Sequence, residues 1–279
     1  MAQINSELPN CMLSENISLN DYDFVLFHLY ESNEEYKQFY KTMRLEHPER
    51  KMIFDNSAYE YFVQGKTLDM DKYVDAICDL CPDFYILPDV LQDKDKTLNG
   101  INTFINKYRS TMDTLLSSFK CKPLMVAQGK TSEDLVECLE IFRDRGFENI
   151  CLPFHIPFYT QGTYDQDIES EFMEVYKKET EDIRYAMGRV RWIRQHEELL
   201  KNFHYIHMLG SHCPMEVMFY KDYDSMDTGY PVKCAICYER LGEEKKKPDV
   251  IIDDFLNTDL NELIKELIRE NIRIYKQFS

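Results

Sequence analysis

The sequence predicts an α/β fold, a (β/α)8 TIM-like barrel that forms a single domain over residues 1–279. Short runs that are apolar on both faces alternate with amphipathic segments along nearly the whole chain, which is typical of a parallel sheet covered by helices. Six or seven such units within about 250 residues suit a barrel better than a doubly wound sheet. Neither a G-x-G-x-x-G turn nor a Walker turn follows the first strand, which disfavours a nucleotide-binding sheet.

Six strands are predicted from apolar runs and a seventh, Ser225–Thr228, from a weaker run, and a candidate segment is available for the eighth. The seven are Phe24–Leu29, Lys51–Asn56, Phe84–Asp89, Pro123–Gln128, Asn149–Phe154, His204–Gly210 and Ser225–Thr228. Val250–Ile252 is the candidate for the eighth. The segment between the last two, residues 232–249, is interpreted as an insertion because it contains the turn GEEKKKPD.

Helices are predicted where apolar residues recur at three- and four-residue spacing. They cover Ser32–Leu45, Met70–Leu80, Lys94–Phe119, Ser132–Arg145, Glu169–Leu200 and the C-terminal segment Asn257–Tyr275. Thr131 and Asp134 are suited to cap the fourth of these helices, and Gly146 to end it. A break is predicted at Gly188 in the longest one.

The composition supports one large core. Of the 279 residues, 44% are hydrophobic, and a chain of this length buries roughly three quarters of its unfolded surface. Disordered and repetitive proteins are excluded. With 33 Lys and Arg against 50 Asp and Glu, the formal net charge is −17. This charge argues against a protein that coats nucleic acid, but it leaves room for a local basic patch.

A cytoplasmic protein without a membrane partner is expected. The start MAQINSELPN has no secretory signal, and no run approaches the roughly 18 apolar residues that span a bilayer. Nine cysteines form an odd number without a tight framework, which indicates reduced thiols. The oligomeric state is left open by the sequence.

Polar side chains follow several of the predicted strands. Asp55 ends the second strand, Asp89 the third and Gln128 the fourth, and Asp227 lies in the seventh. The C-terminal ends of barrel strands meet at one mouth, where catalytic residues of this fold lie. A single Asp at such a position is most often a helix cap. Several carboxylates together are costly to desolvate unless they are used, so a site is predicted at this mouth.

These residue types suit displacement at a sugar carbon. An ionised Asp can attack an anomeric carbon to give a covalent intermediate while a second acid handles the proton. A third Asp and a Gln can read the edge of a planar heterocycle, because a carboxylate accepts from N–H groups and an amide donates to a carbonyl. Tyr59, four residues after Asp55, offers a stacking face.

The same strand ends resemble the motifs of the tRNA-guanine transglycosylase superfamily, in that family's order, between about residues 50 and 232. Each motif is weak alone, and five in sequence are fairly specific. The matches are Asp55-Asn56-Ser57-Ala58-Tyr59 for D-S-G-G-[YF], Ile86-Leu87-Pro88-Asp89 for the second aspartate, Val126-Ala127-Gln128-Gly129 for V-Q-G, His207–Pro214 for L-M-G-V-G-x-P, and Asp224-Ser225-Met226-Asp227 for D-M-F-D.

The resemblance implies a role for each matching residue. Asp227 would be the nucleophile, and Asp55 would be the acid/base residue that also recognises the base. Asp224 is a rival nucleophile, and motif position favours Asp227. The substrate-binding residues would be Asp89, Gln128, Gly129, Tyr59, Leu209 and Gly210.

Members of the family that act on tRNA carry a C-x-C-x-x-C…H zinc site after the nucleophile motif. Here only Cys234 and Cys237 remain, so they are weak metal candidates and the zinc subdomain is expected to be reduced or absent, because structural zinc takes four ligands. A second pair, Cys78 and Cys81, is expected to pack as small hydrophobic residues. The family's G-G-L turn is replaced by residues 152–155, Leu-Pro-Phe-His.

A short chain with these motifs and without the full zinc site resembles the phage-encoded DpdA branch of the family. The resemblance implies that guanine in DNA is exchanged for a 7-deazaguanine such as 7-cyano-7-deazaguanine (preQ0), which would protect phage DNA from restriction in the host cytoplasm. Its partners would be DNA and the free base, and no cofactor is required. Three alternatives stay open: a tRNA-guanine transglycosylase, a non-catalytic barrel that binds nucleic acid or deazaguanine, and a metal-dependent hydrolase.

The segment from Arg184 to Arg194 is the most basic part of this acidic chain. Arg184, Arg191 and Arg194 are predicted to share a helix face at spacings of seven and three. Two interpretations stay open: a solvated face paired with the preceding acidic residues, or a helix that contacts phosphates while Trp192 stacks an exposed base. His204 and His207 face opposite sides of a strand and are therefore poor metal co-ligands.

Overall fold

The fold is described by a computed structural model that covers residues 2–154, 159, 181–211, 214–220, 223–242, 256 and 259–279. Within these residues, one sheet of eight parallel strands forms a nearly closed barrel in the order β1-β8-β7-β6-β5-β4-β3-β2. The predicted fold class is confirmed. The strands are β1 Gln3–Ser6, β2 Asp23–Leu26, β3 Met52–Asp55, β4 Phe84–Ile86, β5 Lys122–Val126, β6 Asn149–Leu152, β7 Tyr205–Met208 and β8 Ser225–Thr228.

Helices surround the barrel. The α-helices are α1 Asn16–Leu19, α2 Phe27–Ser32, α3 Glu34–Glu46, α4 Ala58–Val63, α5 Met70–Leu80, α6 Lys94–Thr114, α7 Ser132–Asp144, α8 Glu181–Gln195, α9 Glu197–Leu200, α10 Tyr230–Ile236 and α11 Glu262–Lys276. Shorter turns of 3₁₀ helix lie at Asn10–Glu15 and Pro214–Phe219, and a π-helical turn, Leu115–Phe119, follows α6. None of the described helices combines the length and apolar composition needed to cross a bilayer.

The caps predicted for α7 are confirmed. The Thr131 side chain accepts from Asp134 N, and the Asp134 side chain accepts in return from Thr131 N. Such a reciprocal pair satisfies two backbone donors that the helix itself leaves open. Gly146 follows the helix with φ of +77°, a conformation that glycine adopts without steric cost.

The strand that completes the barrel is β1, which the sequence analysis missed. Its sequence, Gln-Ile-Asn-Ser, has neither an apolar run nor a clear alternation, yet it pairs with β8 so that Asn5 lies opposite Asp227. Val250–Ile252, the candidate for this place, lies outside the described residues. The first predicted strand also ends earlier than expected, because Phe27–Leu29 belongs to α2.

Two helix predictions need correction. α8 runs through Gly188 and ends at Gln195, so the predicted break at Gly188 is wrong. A Cβ atom at Gly188 would lie 2.1 Å from Tyr159 O, and close packing is therefore the reason for this glycine. The C-terminal helix begins at Glu262 behind an Asn261 cap, whose side chain accepts from Ile264 N at 3.0 Å, rather than at Asn257.

The predicted insertion, residues 232–249, belongs in part to the helical layer. Val232, Cys234 and Ala235 lie fully buried in α10. Asn271 of α11 donates to Pro231 O at 3.1 Å and accepts from Leu241 N at 2.8 Å. The part from 232 to 242 therefore packs as a regular element of the fold, and residues 243–249 lie outside the described chain.

Strands β1 and β2 are the two edges of the sheet, and side chains bridge the seam between them. Asn20 Oδ1 accepts from Ser6 N at 2.7 Å, and Asn20 Nδ2 donates to Ser6 O at 2.9 Å. Asn5 Nδ2 donates to Tyr22 O at 2.8 Å. Amide side chains thus bridge the seam beside one backbone hydrogen bond, in which Asp21 N donates to Ile4 O at 3.0 Å.

Replacing Asn20 with Ala should lower the free energy of unfolding by roughly 1–3 kcal/mol, because Ser6 N and Ser6 O would remain buried without their partner. Urea denaturation measures this loss. The matched control is Asn202→Ala, since exposed Asn202 also donates to two carbonyls, Glu198 O and Leu199 O. The control should change the free energy by less than about 0.5 kcal/mol; equal losses in the two variants would contradict the role assigned to the seam.

Candidate active site

The structure brings Asp55, Asp89 and Asp227 together at the C-terminal end of the barrel. Burial raises the pKa of Asp55 well above its usual range, and the neighbouring charges of Asp89 and Asp227 raise it further. Beneath them lies Cys151 of β6, whose thiol pKa is raised by burial and by the same three carboxylates. The strand ends that the sequence analysis singled out therefore form one acidic cluster.

Two amide side chains hold Asp89. Asn56 Nδ2 donates to Asp89 Oδ1 at 2.9 Å, and Gln128 Nε2 donates to Asp89 Oδ2 at 2.7 Å. Gln128 Oε1 accepts from Gln92 N at 3.0 Å, which fixes the orientation of the amide. Burial raises the pKa of Asp89, while the two donors lower it. Gln128 is only 2% exposed, so its role in this arrangement is to orient Asp89. Of these two residues, Asp89 is the better placed to contact a ligand.

For the guanine-like base that the sequence motifs lead us to expect, replacing Gln128 with Glu should raise the Kd of 7-cyano-7-deazaguanine by about tenfold or more, because a donor that holds Asp89 becomes a second carboxylate. Calorimetric titration measures the effect. Gln38→Glu is the matched control, since Gln38 Nε2 donates to Glu34 Oε1 at 2.6 Å on the surface of α3. We expect the control to bind like the wild type, and unchanged binding by Gln128→Glu would refute the role of the amide.

The turn after β3 fixes Asp55. Ser57 has φ of +58°, the left-handed region, and its N–H donates to Asp55 Oδ2 at 2.7 Å. The Ser57 hydroxyl lies 3.0 Å from His28 Nδ1 and accepts from His28 N at 3.1 Å. A strained residue is maintained only where its surroundings determine it, and here His28 supplies that restraint.

Asp227 is held through one of its two oxygens. Asp227 Oδ1 lies 3.0 Å from His207 Nε2 and accepts from Gly210 N at 3.0 Å. Oδ2 has no hydrogen-bond partner within the described part of the chain, so both described hydrogen bonds fall on Oδ1. Asp227 is 5% exposed, and its orientation is set by the end of β7.

A chain of polar side chains runs inside the barrel below Asp227. His207 Nδ1 lies 2.8 Å from Ser225 Oγ, which lies 2.7 Å from the Tyr205 hydroxyl. An ionised carboxylate only accepts, so His207 Nε2 carries a proton and donates to Asp227. With a neutral ring, Nδ1 then accepts from Ser225, and Ser225 accepts from Tyr205. Phe24 stacks on His207 at a centroid distance of 5.3 Å and restrains the ring further.

The rival nucleophile, Asp224, lies at the opposite end of the barrel. It precedes β8, and its Oδ2 accepts from Ile206 N at 2.9 Å. Burial lowers the pKa of Lys51, which directly precedes β3, and the charge of Asp224 opposes this shift. Asp224 is therefore remote from the acidic cluster, whereas Asp227 is part of it.

The remaining predicted pocket residues differ in what they contribute. Tyr59 is 62% exposed in α4 and stands open to solvent at the rim. Leu209 and Gly210 form the turn after β7, and Gly210 contacts Asp227 directly. A Cβ atom at Gly129 would lie 2.3 Å from Asp134 Cβ, so packing against the α7 cap accounts for this glycine.

The basic helix does not present the predicted face. Arg191 is 7% exposed and Trp192 is 4% exposed, with Trp192 Nε1 donating to Ser132 Oγ at 2.9 Å. Arg194 is exposed and lies over the Phe219 ring, so Arg191 and Arg194 do not share a solvent face. The side chain of Arg184 lies outside the described residues. Arg191 and Trp192 are therefore buried in this arrangement, and neither side chain lies open to a phosphate or a base.

Four residues near the cluster escaped the sequence analysis as site residues. Glu7 follows β1, and its charge also raises the pKa of Asp55; it was missed because β1 was missed. His207 was considered from the sequence only as a poor metal ligand. Arg189 and Glu216 form a fully buried ion pair at 2.6 Å, for which the sequence gives no signal beyond a charge within a helical pattern.

The cysteine pairs do not form a metal centre in the described part of the chain. Cys234 is buried in α10, and Cys237 is half-buried directly after it. Among the described residues, no three His, Cys, Asp or Glu side chains converge as ligands. Cys234 and Cys237 therefore do not fit a four-ligand zinc site with the residues described.

His204 and His207 lie on opposite sides of β7, as predicted. His204 is 72% exposed, next to Glu148, and the His207 side chain is fully buried.

In comparisons with known proteins, neither a family model nor a curated protein matches this chain.

Proposed function

We propose that the protein exchanges guanine in DNA for a 7-deazaguanine such as 7-cyano-7-deazaguanine, through a covalent bond between Asp227 and the deoxyribose. The observation that carries the proposal is the pairing of Asp227, which the described residues hold through Oδ1, with a neighbouring carboxyl group, Asp55, whose pKa is raised. One group is suited to attack as an anion and the other to donate a proton. The barrel fold itself is compatible with many reactions, so the argument rests on this site.

In the first step, Asp227 Oδ2 attacks C1′ of a deoxyguanosine. The C1′–N9 bond breaks, its electron pair leaves with guanine, and Asp55 donates a proton to the departing base. The result is a glycosyl ester on Asp227 and an ionised Asp55. Burial raises the pKa of Asp55, so this acid holds its proton to a higher pH than an ordinary aspartate, which suits the role of proton donor in this step.

In the second step, a 7-deazaguanine replaces guanine against Asp89. Its five-membered-ring N–H gives a proton to the Asp55 carboxylate, and the nitrogen attacks C1′. The C–O bond to Asp227 breaks, and Asp227 is regenerated as a carboxylate. Atoms and charges balance over the two steps, so no redox cofactor and no nucleotide energy enter the reaction.

Asp89 is the residue best suited to recognise the base. Both of its oxygens are held by amide donors, so the carboxylate keeps one orientation and can accept from the N–H groups of a guanine-like edge. Exchange within a duplex requires the nucleotide to leave the stack. The acidic mouth does not attract phosphates, so we expect recognition to centre on the base. The choice of DNA rests on the resemblance to the DpdA branch, in which the exchanged base protects phage DNA from restriction.

The test is incubation of the full chain with labelled 7-cyano-7-deazaguanine and, separately, duplex DNA, single-stranded DNA and tRNA. Asp227→Asn serves as the inactive comparison and Asp224→Asn as the matched control from the opposite end of the barrel. Label entering DNA with wild type and Asp224→Asn, but not with Asp227→Asn, would support the proposal. Label entering tRNA alone would replace it with the tRNA-directed activity. Binding of the base without incorporation into any substrate would refute exchange and favour a binding protein.

A further inference from the structure

Arg189, on α8, is the most completely enclosed charge next to the candidate site. Its side chain is fully buried, and all three guanidinium nitrogens donate. Nε donates to Glu216 Oε1 at 2.6 Å and to the Tyr220 hydroxyl at 3.0 Å. Nη1 and Nη2 bind three carbonyls at the ends of β6 and β7, which are Leu152 O at 3.2 Å, Leu209 O at 2.8 Å and Gly210 O at 2.7 Å.

One peptide unit lies between this cation and Asp227. The carbonyl of Leu209 accepts from Arg189 Nη1, and the N–H of the same peptide, that of Gly210, donates to Asp227 Oδ1 at 3.0 Å. A peptide bound at both ends is polarised, so each hydrogen bond strengthens the other. The charge of Arg189 is thereby transmitted to the Asp227 carboxylate without direct contact.

The turn around this peptide is fixed from several sides. Gly210 has φ of +60°, a conformation that favours glycine. Ser211 Oγ donates to Glu216 Oε2 at 2.8 Å, and Ser211 O accepts from Thr228 Oγ1 at 2.7 Å. Tyr220 donates to the Glu216 oxygen that binds Arg189. The ends of β7 and β8 are thus connected through one buried polar network.

A contribution to stability does not explain this ion pair well. Replacing a buried pair by apolar side chains of similar volume is often neutral or even stabilising, because desolvation offsets the attraction between the charges. The alternative explanation is placement: a planar guanidinium fixes several acceptors at set angles, which an ammonium group does not.

We infer that Arg189 is a positioning residue that acts on Asp227 through the Leu209–Gly210 peptide and keeps Oδ1 bound, so that Oδ2 is the attacking oxygen. This inference rests on the proposed function for its catalytic consequence. Its structural content, the coupling of Arg189 to the Gly210 amide, is independent of any activity.

The experiment follows the Gly210 amide directly. The sequence contains nine glycines, and only Gly210 and Gly242 follow a leucine. When leucine is labelled with ¹³C at its carbonyl and glycine with ¹⁵N, an amide spectrum correlated with the preceding carbonyl therefore contains only the signals of Gly210 and Gly242. The signal that is displaced in Asp227→Asn is assigned to Gly210. In Arg189→Lys the Gly210 proton should move upfield, as its hydrogen bond weakens, while the Gly242 signal stays in place. The matched control is Arg50→Lys, because half-buried Arg50 binds Asp23 and two carbonyls at the opposite end of the barrel.

The second readout is base exchange. In Arg189→Lys, kcat should fall about tenfold to a hundredfold. Removing a preorganised backbone donor lowers kcat strongly, and weakening that donor should lower kcat by no more than its removal would. The Kd for 7-cyano-7-deazaguanine should stay unchanged, because Asp89 and its amide donors lie on the other side of the mouth. Arg50→Lys should retain the wild-type kcat. A loss in base affinity and kcat together would indicate a general loosening of the site and would overturn the inference.

If Arg189→Lys fails to fold, the double variant Arg189→Met/Glu216→Leu takes its place. It removes both charges, so that neither is left buried without its partner, and it should show the same displacement of the Gly210 signal. An unmoved Gly210 signal in a folded variant would overturn the inference, whatever the activity. If the wild type exchanges no base, the proposed function fails, and the amide signal still decides the coupling.

Discussion

Replacing Asp227 with Asn should lower the rate of base exchange by about 10⁴-fold or more, the size of loss that follows removal of an attacking group. The Asn side chain keeps the shape of Asp227 and can still accept from Gly210 N, so the fold is expected to remain intact. What is lost is the anion that bonds to C1′. Single-turnover assays with labelled DNA, together with denaturing gels that detect a protein–DNA adduct, measure this effect.

The control for this variant is Asp224→Asn. It makes the same chemical change at the residue directly before β8, at the opposite end of the barrel, where Asp224 Oδ2 accepts from Ile206 N. We expect Asp224→Asn to lose some stability and to retain adduct formation. If instead Asp224→Asn abolished the adduct and Asp227→Asn preserved it, the assignment of the nucleophile would be wrong.

Replacing Asp55 with Asn should lower exchange at neutral pH by about 10²–10⁴-fold, the usual contribution of a positioned acid or base. The variant can still form a hydrogen bond, but it cannot give a proton to the departing guanine or take one from the incoming base. Adduct formation and its breakdown by 7-deazaguanine should both slow. Rapid-quench measurements of the two steps separate this result from a loss of base binding.

The pH dependence of Asp55 has a definite sign. Burial and three neighbouring carboxylates raise its pKa, so the wild-type rate of the first step should fall as pH rises through that raised value, where Asp55 loses its proton. Asp55→Asn should lack this fall. Asp79→Asn is the control, because Asp79 is a surface carboxylate of α5 bound to Lys41 and Tyr30, and the alkaline fall should persist in it.

The same shift affects stability. The folded protein keeps a proton on Asp55 that the unfolded chain releases above the ordinary aspartate pKa of about 3.9, so the free energy of unfolding should decrease as pH rises from there to the raised pKa. Asp55→Asn should reduce this decrease, and Asp89, whose pKa is also raised, should account for part of what remains. An unchanged slope in Asp55→Asn would contradict the raised pKa.

The fold class and the acidic residues of the candidate site could be predicted from local sequence patterns. Strands such as β3 and β4 were predictable because their residues are apolar on both faces, and a buried parallel strand requires this pattern. Once those strands were placed, Asp55 and Asp89 had to lie at the mouth, since parallel strands end on the same side. Both statements depend on local patterns, which a single sequence contains.

The strand that closes the barrel and the way in which the carboxylates are held could not be predicted in this way, because both depend on contacts made in the folded chain. β1 is polar, and its place depends on pairing with β8 and on Asn20 at the seam, contacts between residues distant in sequence. The roles of His207 and Arg189 have the same origin, because each is defined by partners on other strands. A hydrogen bond depends on distance and angle within a fraction of an ångström, and residue types along a chain do not specify that geometry.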